Sequence, residues 1–187
     1  ITVSDEQPSS DMRRIIEQCG AAKYRSSLDL VSAFNQVPLE EESRKYCSFR
    51  NDTSYWRYKR MCFGLKNASK TMQRLMNFVL RGAEKYCLTH VDDVIIFSDT
   101  WEDHLSHLRN VFERLKAAGL VINQNKCMFG RNRMKCLGYI LEDGKILPDP
   151  DKVKGILNFP TPKTKKTGEE FQWHHKFLPI SDRKSVV

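Results

Sequence analysis

The sequence predicts an α+β fold in which helices pack on one face of an antiparallel sheet. Short apolar segments rich in β-branched residues alternate with segments of helical periodicity along the 187-residue chain, a pattern typical of mixed folds. Turn-forming residues separate several neighbouring strand segments, which indicates hairpins and therefore antiparallel pairing. The length is that of one domain or slightly more, enough to bury a hydrophobic core.

The N-terminal part of the chain is predicted to hold one helix and one strand. Residues 1–10 are polar, and we expect a loose segment there. A short helix is predicted over Asp11–Cys19, ended by Gly20. Ser27–Val31 is an apolar strand that contains one carboxylate, Asp29.

A hairpin and a helix follow. Strands around Tyr46–Arg50 and Tyr55–Arg60 flank the turn signal Asn51-Asp52-Thr53-Ser54. Apolar residues then recur at helical spacing from Thr71 to Tyr86, so we predict a helix with one buried face.

A second helix is predicted to open at Thr100 and to end at Gly119. Asp103, three residues after Thr100, completes the pattern of a capped N-terminus. His104 and His107 lie on this helix without a neighbouring Glu or Cys, so we predict surface histidines rather than metal ligands. The predicted buried stripe is Trp101, Leu105, Leu108, Val111, Phe112 and Leu115.

The C-terminal part is predicted to begin with another hairpin. Strands Cys136–Leu141 and Lys145–Leu147 enclose the turn Asp143-Gly144. A short helix begins at Asp149-Pro150 and ends at Pro160, and a basic linker follows.

The charge balance favours a polyanionic partner, nucleic acid above all. Lys and Arg number 31 against 23 Asp and Glu, a net charge of +8. A generically basic soluble protein remains the alternative. No apolar run reaches the roughly 20 residues that span a bilayer, and no signal peptide is present, so we expect no membrane partner.

The six cysteines are scattered, and no two have C-x-x-C spacing. This argues against a zinc site or a disulfide framework and favours a reducing, intracellular compartment. Cytoplasm and nucleus are both consistent with it.

Two adjacent aspartates, Asp92 and Asp93, lie between two apolar runs in the segment Tyr86–Ser98. Such a dipeptide predicts a hairpin turn, although a tight turn would more often use glycine. Neighbouring carboxylates are what Mg²⁺ requires, and two such ions support phosphoryl transfer. A solvated acidic turn is the alternative.

Asp29 offers a third carboxylate from a separate strand. An unpaired charge in an apolar strand is costly to bury, and a bound cation would offset that cost. The alternative is an edge-strand residue that faces solvent.

Six ordered segments of the chain resemble the reverse transcriptases of gypsy-like LTR retrotransposons. They are SLDLVSAFNQV (27–37), MCFGLKNA (61–68), HVDD (90–93), GLVINQNKCMFG (119–130), CLGYI (136–140) and PDPDKV (148–153). Their order and spacing match the family over residues 11–166. The resemblance implies a right-hand polymerase palm with part of the fingers over 11–147, and a truncated or divergent start of the thumb or connection over 148–187.

The resemblance also implies RNA-directed DNA synthesis. Asp29 and Asp92 would hold two Mg²⁺ ions (Mn²⁺ being possible), with the backbone carbonyl of Leu30 and Asp93 nearby. A primer 3′-hydroxyl would then attack the α-phosphate of a deoxynucleoside triphosphate and release pyrophosphate. The implied partners are an RNA or DNA template with its primer, the dNTP, and the rest of a Pol polyprotein.

Other residues acquire implied contacts with substrate. Phe34 would be the steric gate beneath the sugar, with a core aromatic as the alternative. The remaining contacts are Phe63 and Gly64 with the nucleotide, and His90, Val91, Leu137 and Gly138 with the primer or template.

The sequence departs from the family pattern at several positions. His90 replaces the tyrosine of the Tyr-x-Asp-Asp motif, Cys62 and Ser69 replace prolines, and Arg25 replaces an aromatic or similar packing residue. The fingers segment that precedes residue 11 in the family and an initiating Met are both missing, which predicts a fragment with weak nucleotide affinity. Residues 167–187 diverge from the family.

Two other functions therefore remain open. One is a catalytically inactive, transposon-derived remnant that binds nucleic acid. The other is a different metal-dependent phosphodiesterase. The sequence leaves the oligomeric state undecided.

Overall fold

The computed structural model describes residues 2–5, 12–142, 144–151 and 154. Within these residues three α-helices, α1 (Met12–Ala21), α2 (Ala68–Val79) and α3 (Trp101–Ala117), accompany nine strands. The strands are β1 (Tyr24–Asp29), β2 (Ser48–Arg50), β3 (Tyr55–Arg57), β4 (Cys87–His90), β5 (Asp93–Ser98), β6 (Met128–Arg131), β7 (Arg133–Cys136), β8 (Tyr139–Glu142) and β9 (Lys145–Pro148). Short 3₁₀ helices occupy Ala33–Gln36, Glu41–Cys47 and Gln124–Lys126. The predicted α+β class is confirmed.

A four-stranded sheet in the order β4-β5-β1-β6 forms the centre of the fold. Its neighbouring strands are antiparallel. The longest pairing joins β1 to β5, from Tyr24 opposite Ser98 to Asp29 opposite Asp93. Strands β2 and β3 form a separate hairpin, and β7, β8 and β9 form a small three-stranded sheet.

The central sheet is covered on both faces. Because side chains alternate along a strand, Val94 and Ile96 of β5 face one hydrophobic core while Ile95 and Phe97 face the other. Helices α2 and α3 pack on the first face, as predicted. Helix α1 and the β7–β9 sheet cover the second face, an arrangement that the sequence pattern did not predict.

The ends of two helices differ from the sequence prediction. Gly20 does not end α1, and α2 ends earlier than the apolar spacing predicts. Gly20 lies inside α1, one residue before its end, and a Cβ there would come within 2.8 Å of the Ile146 side chain. Its role is therefore close packing of α1 on β9. Helix α2 ends at Val79, well before Tyr86, and Gly82 follows with φ +86°. Residues 80–86 are turns and loop rather than helix.

The N-terminus of α3 is capped as predicted, but its buried stripe differs. Thr100 Oγ1 accepts a hydrogen bond from the Asp103 N–H at 3.2 Å and donates to its carboxylate at 2.7 Å. Trp101 and Leu105 are 43% and 47% exposed. The prediction that both are buried is wrong.

His104 is fully buried, so its prediction as a surface residue is wrong. Its Nε2 lies 2.7 Å from Ser26 Oγ and its Nδ1 lies 3.0 Å from Ser98 Oγ. Because both ring nitrogens have partners, the polar ring tolerates burial. Burial lowers the pKa of His104, and the neighbouring His107 lowers it further.

The strand predicted over Cys136–Leu141 is interrupted. Cys136 ends β7, Leu137 and Gly138 form a two-residue turn at φ +50° and +88°, and Tyr139 begins β8. Leucine is uncommon at positive φ, so the residue types at these positions do not indicate a turn.

Parts of the C-terminal prediction fall outside the described residues. Gly144 turns at φ +74°, while Asp143 beside it lies outside them. Residues 150, 151 and 154 are helical; the rest of that predicted helix, the basic linker and the divergent segment 167–187 lie outside them too. In the described part, no helix is long and apolar enough to cross a membrane.

Candidate active site

Asp29 and Asp93 are direct cross-strand partners at one end of the central sheet. The Asp29 carbonyl accepts a hydrogen bond from the Asn123 N–H at 2.7 Å, on the side of β1 away from β5. The Asp29–Asp93 pair is therefore of the non-hydrogen-bonded kind, in which Cα atoms are about 4.5 Å apart and side chains share a face. Two carboxylates from different strands thus become neighbours.

The hairpin turn that follows β4 consists of Val91 and Asp92, whereas Asp93 is already the first residue of β5. The predicted Asp-Asp turn is therefore displaced by one residue. Val91 has φ +57°, a strained conformation for a β-branched side chain. Asp92 is exposed beside the paired carboxylates.

Gln73 of α2 holds this turn in place. Its Oε1 accepts a hydrogen bond from the Val91 N–H at 2.8 Å, and its Nε2 donates to Thr89 Oγ1 at 2.9 Å and to Asn77 Oδ1 at 2.9 Å. Gln73 is only 5% exposed, so these bonds are screened from water. Sequence reasoning missed this residue; the available signal was a glutamine between Met72 and Met76 on the buried face of α2.

The electrostatics of the site favour a cation. Burial raises the pKa of Asp93, the carboxylates of Asp92 and Asp29 raise it further, and His90 lowers it. Lys126 Nζ approaches Asp29 Oδ2 at 3.8 Å, but its side chain is 66% exposed. A bound divalent ion would relieve the repulsion among the three carboxylates more directly.

The donor set fits a hard divalent cation, because carboxylate and carbonyl oxygens are the ligands that Mg²⁺ prefers. Among the described residues, however, no group of three or more His, Cys, Asp or Glu side chains is already arranged to hold a metal. The fit therefore rests on the chemistry of the donors and on the register of Asp29 and Asp93.

The backbone carbonyl of Leu30 is directed toward this cluster. Leu30 bridges Ile122, and the hydrogen bonds that flank the bridge are Asn123 N–H to the Asp29 carbonyl and Val31 N–H to the Val121 carbonyl. Since successive carbonyls of an extended chain point to opposite sides, the Leu30 carbonyl points toward the Val91-Asp92 turn.

Phe34 and Phe63 are brought together next to β1. Phe34 lies half-buried in the 3₁₀ helix that follows this strand, and its ring contacts that of Phe63 edge to face, with 5.4 Å between centroids. Phe63 is 73% exposed. Gly64 has φ +89°, with open space where a Cβ would lie.

The Leu137-Gly138 turn lies on the face of the central sheet that carries Asp93, because Leu137 packs against the same hydrophobic core as Ile95 and Phe97. Burial raises the pKa of the adjacent Cys136 thiol to about 12, and the Asp93 carboxylate contributes to the rise. The Gly138 carbonyl accepts a hydrogen bond from the Asp149 N–H at 3.2 Å. The structure thus brings this turn to the side of the sheet that carries Asp93.

The two main departures from the family pattern lie in polar surroundings. His90 is opposite Asp93 in the register, and its buried Nδ1 has no hydrogen-bond partner among the described residues. Arg25 is fully buried and donates to the carbonyls of Cys19 at 2.6 Å, Gly20 at 2.8 Å and Asn132 at 2.6 Å. It therefore fixes the C-terminus of α1, at the position where the family pattern has an aromatic or similar packing residue.

Comparison with known proteins gives sequence relatives over most of the chain. The family model "Reverse transcriptase (RNA-dependent DNA polymerase)" matches residues 2–141. The Retrovirus-related Pol polyprotein from transposon 297 of Drosophila melanogaster is 36% identical over 184 residues, which are 96% of this chain and 17% of that protein. The Pol polyprotein from transposon gypsy of the same organism is 36% identical over 162 residues, 86% of this chain and 16% of that protein. The chain thus spans about a sixth of the length of these relatives.

Comparison with solved structures gives the same fold. The foamy viral protease-reverse transcriptase in complex with double-stranded DNA matches with a TM-score of 0.86 and 20% identity, over 94% of this chain and 31% of that one. The same protein in complex with an RNA/DNA hybrid matches with a TM-score of 0.78. The described fold therefore corresponds to 31% of the longer foamy viral chain.

Proposed function

The chain belongs to the reverse transcriptase family, and we propose that it is the palm of an RNA-directed DNA polymerase from an LTR retrotransposon Pol polyprotein. The observation that carries this proposal is the cross-strand pairing of Asp29 with Asp93. Asp92 lies beside this pair, in a turn that a hydrogen bond to Gln73 holds in place. In nucleotidyl transfer to a primer 3′-hydroxyl, two divalent ions would stabilise the attacking and leaving oxygens, and clustered carboxylates would hold those ions.

Each residue of the site has a proposed role. Asp29, Asp92 and the Leu30 carbonyl would hold two Mg²⁺ ions, or Mn²⁺, with Asp93 beside them. Bound there, the ions would stabilise the charge that develops on the attacking and leaving oxygens. The protein itself mainly positions the primer terminus and the nucleotide.

The substrate contacts are proposed from the surroundings of the carboxylates. Phe34, supported by Phe63, would exclude a ribose 2′-hydroxyl, while Gly64 leaves room for the nucleotide. Leu137 and Gly138 would hold the primer, with His90 and Val91 near its end (Val91 immediately before Asp92). The foamy viral relatives bind double-stranded DNA and an RNA/DNA hybrid, and we propose a template–primer of this kind here, with a dNTP.

Primer extension with Mg²⁺ and dNTPs tests the proposal. Asp29→Asn and Asp92→Asn are expected to reduce extension by roughly a thousandfold, because several kcal/mol of charge stabilisation is lost. Asp99→Asn is the matched control, since Asp99 is an exposed carboxylate beyond the other end of β5. Extension that survives Asp92→Asn would show that the metal assignment is wrong.

A measurement without catalysis separates metal binding from turnover. Mg²⁺ is expected to raise the melting temperature of the unmodified protein, because a ligand that binds only the folded state stabilises it. Asp29→Asn and Asp92→Asn should abolish this rise, and Asp99→Asn should preserve it.

A catalytically inactive nucleic-acid-binding remnant is the second candidate, favoured by His90 in the motif position and by its unpartnered Nδ1 among the described residues. Salt-sensitive affinity for nucleic acid together with no Mg²⁺-dependent stabilisation would support the remnant over the enzyme.

A further inference from the structure

Two partly exposed cysteines, Cys47 and Cys62, lie at the base of the β2–β3 hairpin. Cys47 is the last residue of the 3₁₀ helix Glu41–Cys47, which leads into β2. Cys62 follows the hairpin, at the position where the family pattern has a proline. Neither thiol has a role in the proposed function, so we ask what chemistry the two could perform together.

The 3₁₀ helix that carries Cys47 is fixed to the hairpin at two points. The Cys47 carbonyl accepts a hydrogen bond from the Tyr58 N–H at 3.1 Å, just beyond the end of β3. Arg44 Nε donates to the Leu39 carbonyl at 3.1 Å, and the Leu39 N–H donates to the Lys59 carbonyl at 3.0 Å. The end of this helix therefore lies against the chain that leaves β3.

The chain that leaves β3 brings Cys62 to Cys47. Immediately before Cys62, the Met61 N–H donates to the Val37 carbonyl at 2.8 Å, and the Met61 side chain is buried in the first hydrophobic core. Burial raises the pKa of the Cys47 thiol, and the Cys62 thiol raises it further through its charge and through a hydrogen bond. The two sulfur atoms are therefore in contact, held from both sides by backbone hydrogen bonds.

The other four cysteines differ in their access to solvent or in their partner. Burial raises the pKa of the Cys19, Cys87 and Cys136 thiols to about 12, so they form little of the reactive thiolate. Cys127 is partly exposed, but its thiol donates to the Asn123 carbonyl at 3.2 Å. Oxidation should therefore select the pair at the base of the hairpin.

We propose that Cys47 and Cys62 form a reversible disulfide, with a small-molecule disulfide such as oxidised glutathione as the oxidant. One cysteine thiolate attacks the glutathione disulfide, forms a mixed disulfide with the protein and releases one glutathione thiolate. The other cysteine thiolate then attacks the protein sulfur of that mixed disulfide and releases the second glutathione. The protein loses two protons and two electrons, and one glutathione disulfide becomes two glutathione thiols.

The disulfide would close a loop, residues 48–61, that contains the whole β2–β3 hairpin. A hairpin of two strands gains little stability by itself, and a cross-link at its base restricts the unfolded chain. In reducing compartments such bonds are usually transient and redox-sensing. Oxidation would therefore make the hairpin more rigid, and reduction would restore its freedom, whether or not the chain is a polymerase.

Peptide mass spectrometry of the full chain tests the proposal. The folded protein is equilibrated with reduced or oxidised glutathione, quenched with acid, unfolded, alkylated and digested with trypsin. Because trypsin cleaves after Lys and Arg, the two cysteines fall on separate peptides, 46–50 and 61–66. Excess oxidised glutathione should link these peptides with the loss of two hydrogen atoms, and dithiothreitol should release them.

Single variants identify the reacting thiols. Cys47→Ser and Cys62→Ser should each abolish the link, and the remaining cysteine should keep its glutathione because no second thiol displaces it. Cys127→Ser is the matched control, since Cys127 is also partly exposed, and it should leave the link intact. Wild-type protein that carries glutathione on both cysteines without a link, that links other cysteines first, or that does not react would overturn the proposal.

Thermal unfolding and hydrogen exchange give a second readout. Oxidised wild-type protein should melt at a higher temperature than the reduced form, and amide exchange over residues 48–58 should slow. Cys62→Ser should show neither change. A link that forms only in protein already unfolded by urea would contradict the proposal, because the native fold would then not bring the two thiols together.

Discussion

The side chain of Gln73 joins α2 to the strained Val91-Asp92 turn. Replacing Gln73 should therefore affect the site more than the fold. Gln73→Leu keeps the volume but leaves the Val91 N–H and the Thr89 hydroxyl without their glutamine partner. We expect a loss of about 1–3 kcal/mol in the free energy of unfolding, measured by urea denaturation. Primer extension should fall further than this loss explains, because Asp92 is no longer held.

Asn77 provides the control for that experiment. It contacts the Gln73 amide from the exposed side of α2, at 2.9 Å. Asn77→Ala should cost about 1 kcal/mol or less, since water can replace it. Equal losses of extension in the two variants would argue against Gln73 as a positioning residue.

Phe34 is expected to set the choice of sugar. Phe34→Val should increase incorporation of ribonucleotides relative to deoxynucleotides, because the smaller side chain leaves space for a 2′-hydroxyl. Competitive primer extension with each nucleotide class measures the ratio. A decrease in both rates without a change in the ratio would indicate a packing role against Phe63 instead.

At the residue scale, the sequence predicts charged groups better than the groups that orient them. Asp29 stands out because a lone carboxylate in an apolar strand has few structural reasons to be there. Gln73 and His104 do not stand out, since their roles depend on partners far away in the chain, at Val91 and Ser26. Periodicity carries no information on such long-range hydrogen bonds.

At the scale of elements, the contact between α3 and the central sheet contains a pH-sensitive group. His104 is held neutral by burial, with a folded-state pKa below its unfolded value. As pH falls, the unfolded chain therefore takes up the proton first. Stability is fully present above the unfolded pKa and declines as pH falls below it.

The corresponding measurement is urea denaturation at about pH 7.5 and about pH 5.5, where histidine titrates and ordinary carboxylates do not. The wild-type free energy of unfolding should decrease toward the lower pH, by at most about 1.4 kcal/mol per pH unit for one group. His104→Gln should have a lower free energy of unfolding at the higher pH, but that free energy should depend less on pH. His107, whose pKa burial also lowers, contributes a slope of the same sign. A slope unchanged by His104→Gln would refute the assignment.

Elements were predictable from the sequence where local chemistry defines them. The cap at Thr100 and the turn at Asn51, whose Oδ1 accepts from the Ser54 N–H at 2.7 Å, are such cases. The Leu137-Gly138 turn and the backbone conformation of Val91 were not predictable. Leucine and valine adopt a positive φ only when the surrounding structure imposes it. Those exceptions lie next to the carboxylates, where strain is commonly found in functional sites.

At the scale of the whole molecule, the excess of positive charge should govern nucleic-acid affinity. Affinity for an RNA–DNA hybrid is expected to fall as salt rises, with a log–log slope of about −0.9 for each phosphate neutralised on a duplex. Filter binding over a series of salt concentrations gives this slope. Asp92→Asn should leave it unchanged, and an affinity independent of salt would contradict a role for the net charge of +8.

The arrangement of layers was only half predictable from the sequence. Amphipathic periodicity identified α2 and α3 as helices that cover a sheet. It could not show that β5 is buried on both faces, because a continuous apolar run such as Val94–Phe97 does not reveal which elements cover it. The second core is formed by α1 and the β7–β9 sheet, which come from opposite ends of the described chain.

The central position of β1 has a consequence for folding during synthesis. The strand is made before both of its neighbours, because β5 follows only after the β2–β3 hairpin and α2, and β6 only after α3 as well. Until then both edges of β1 are unpaired, a condition that slows folding and invites aggregation. Nascent chains that stop before β5 should therefore depend on chaperones and remain sensitive to protease.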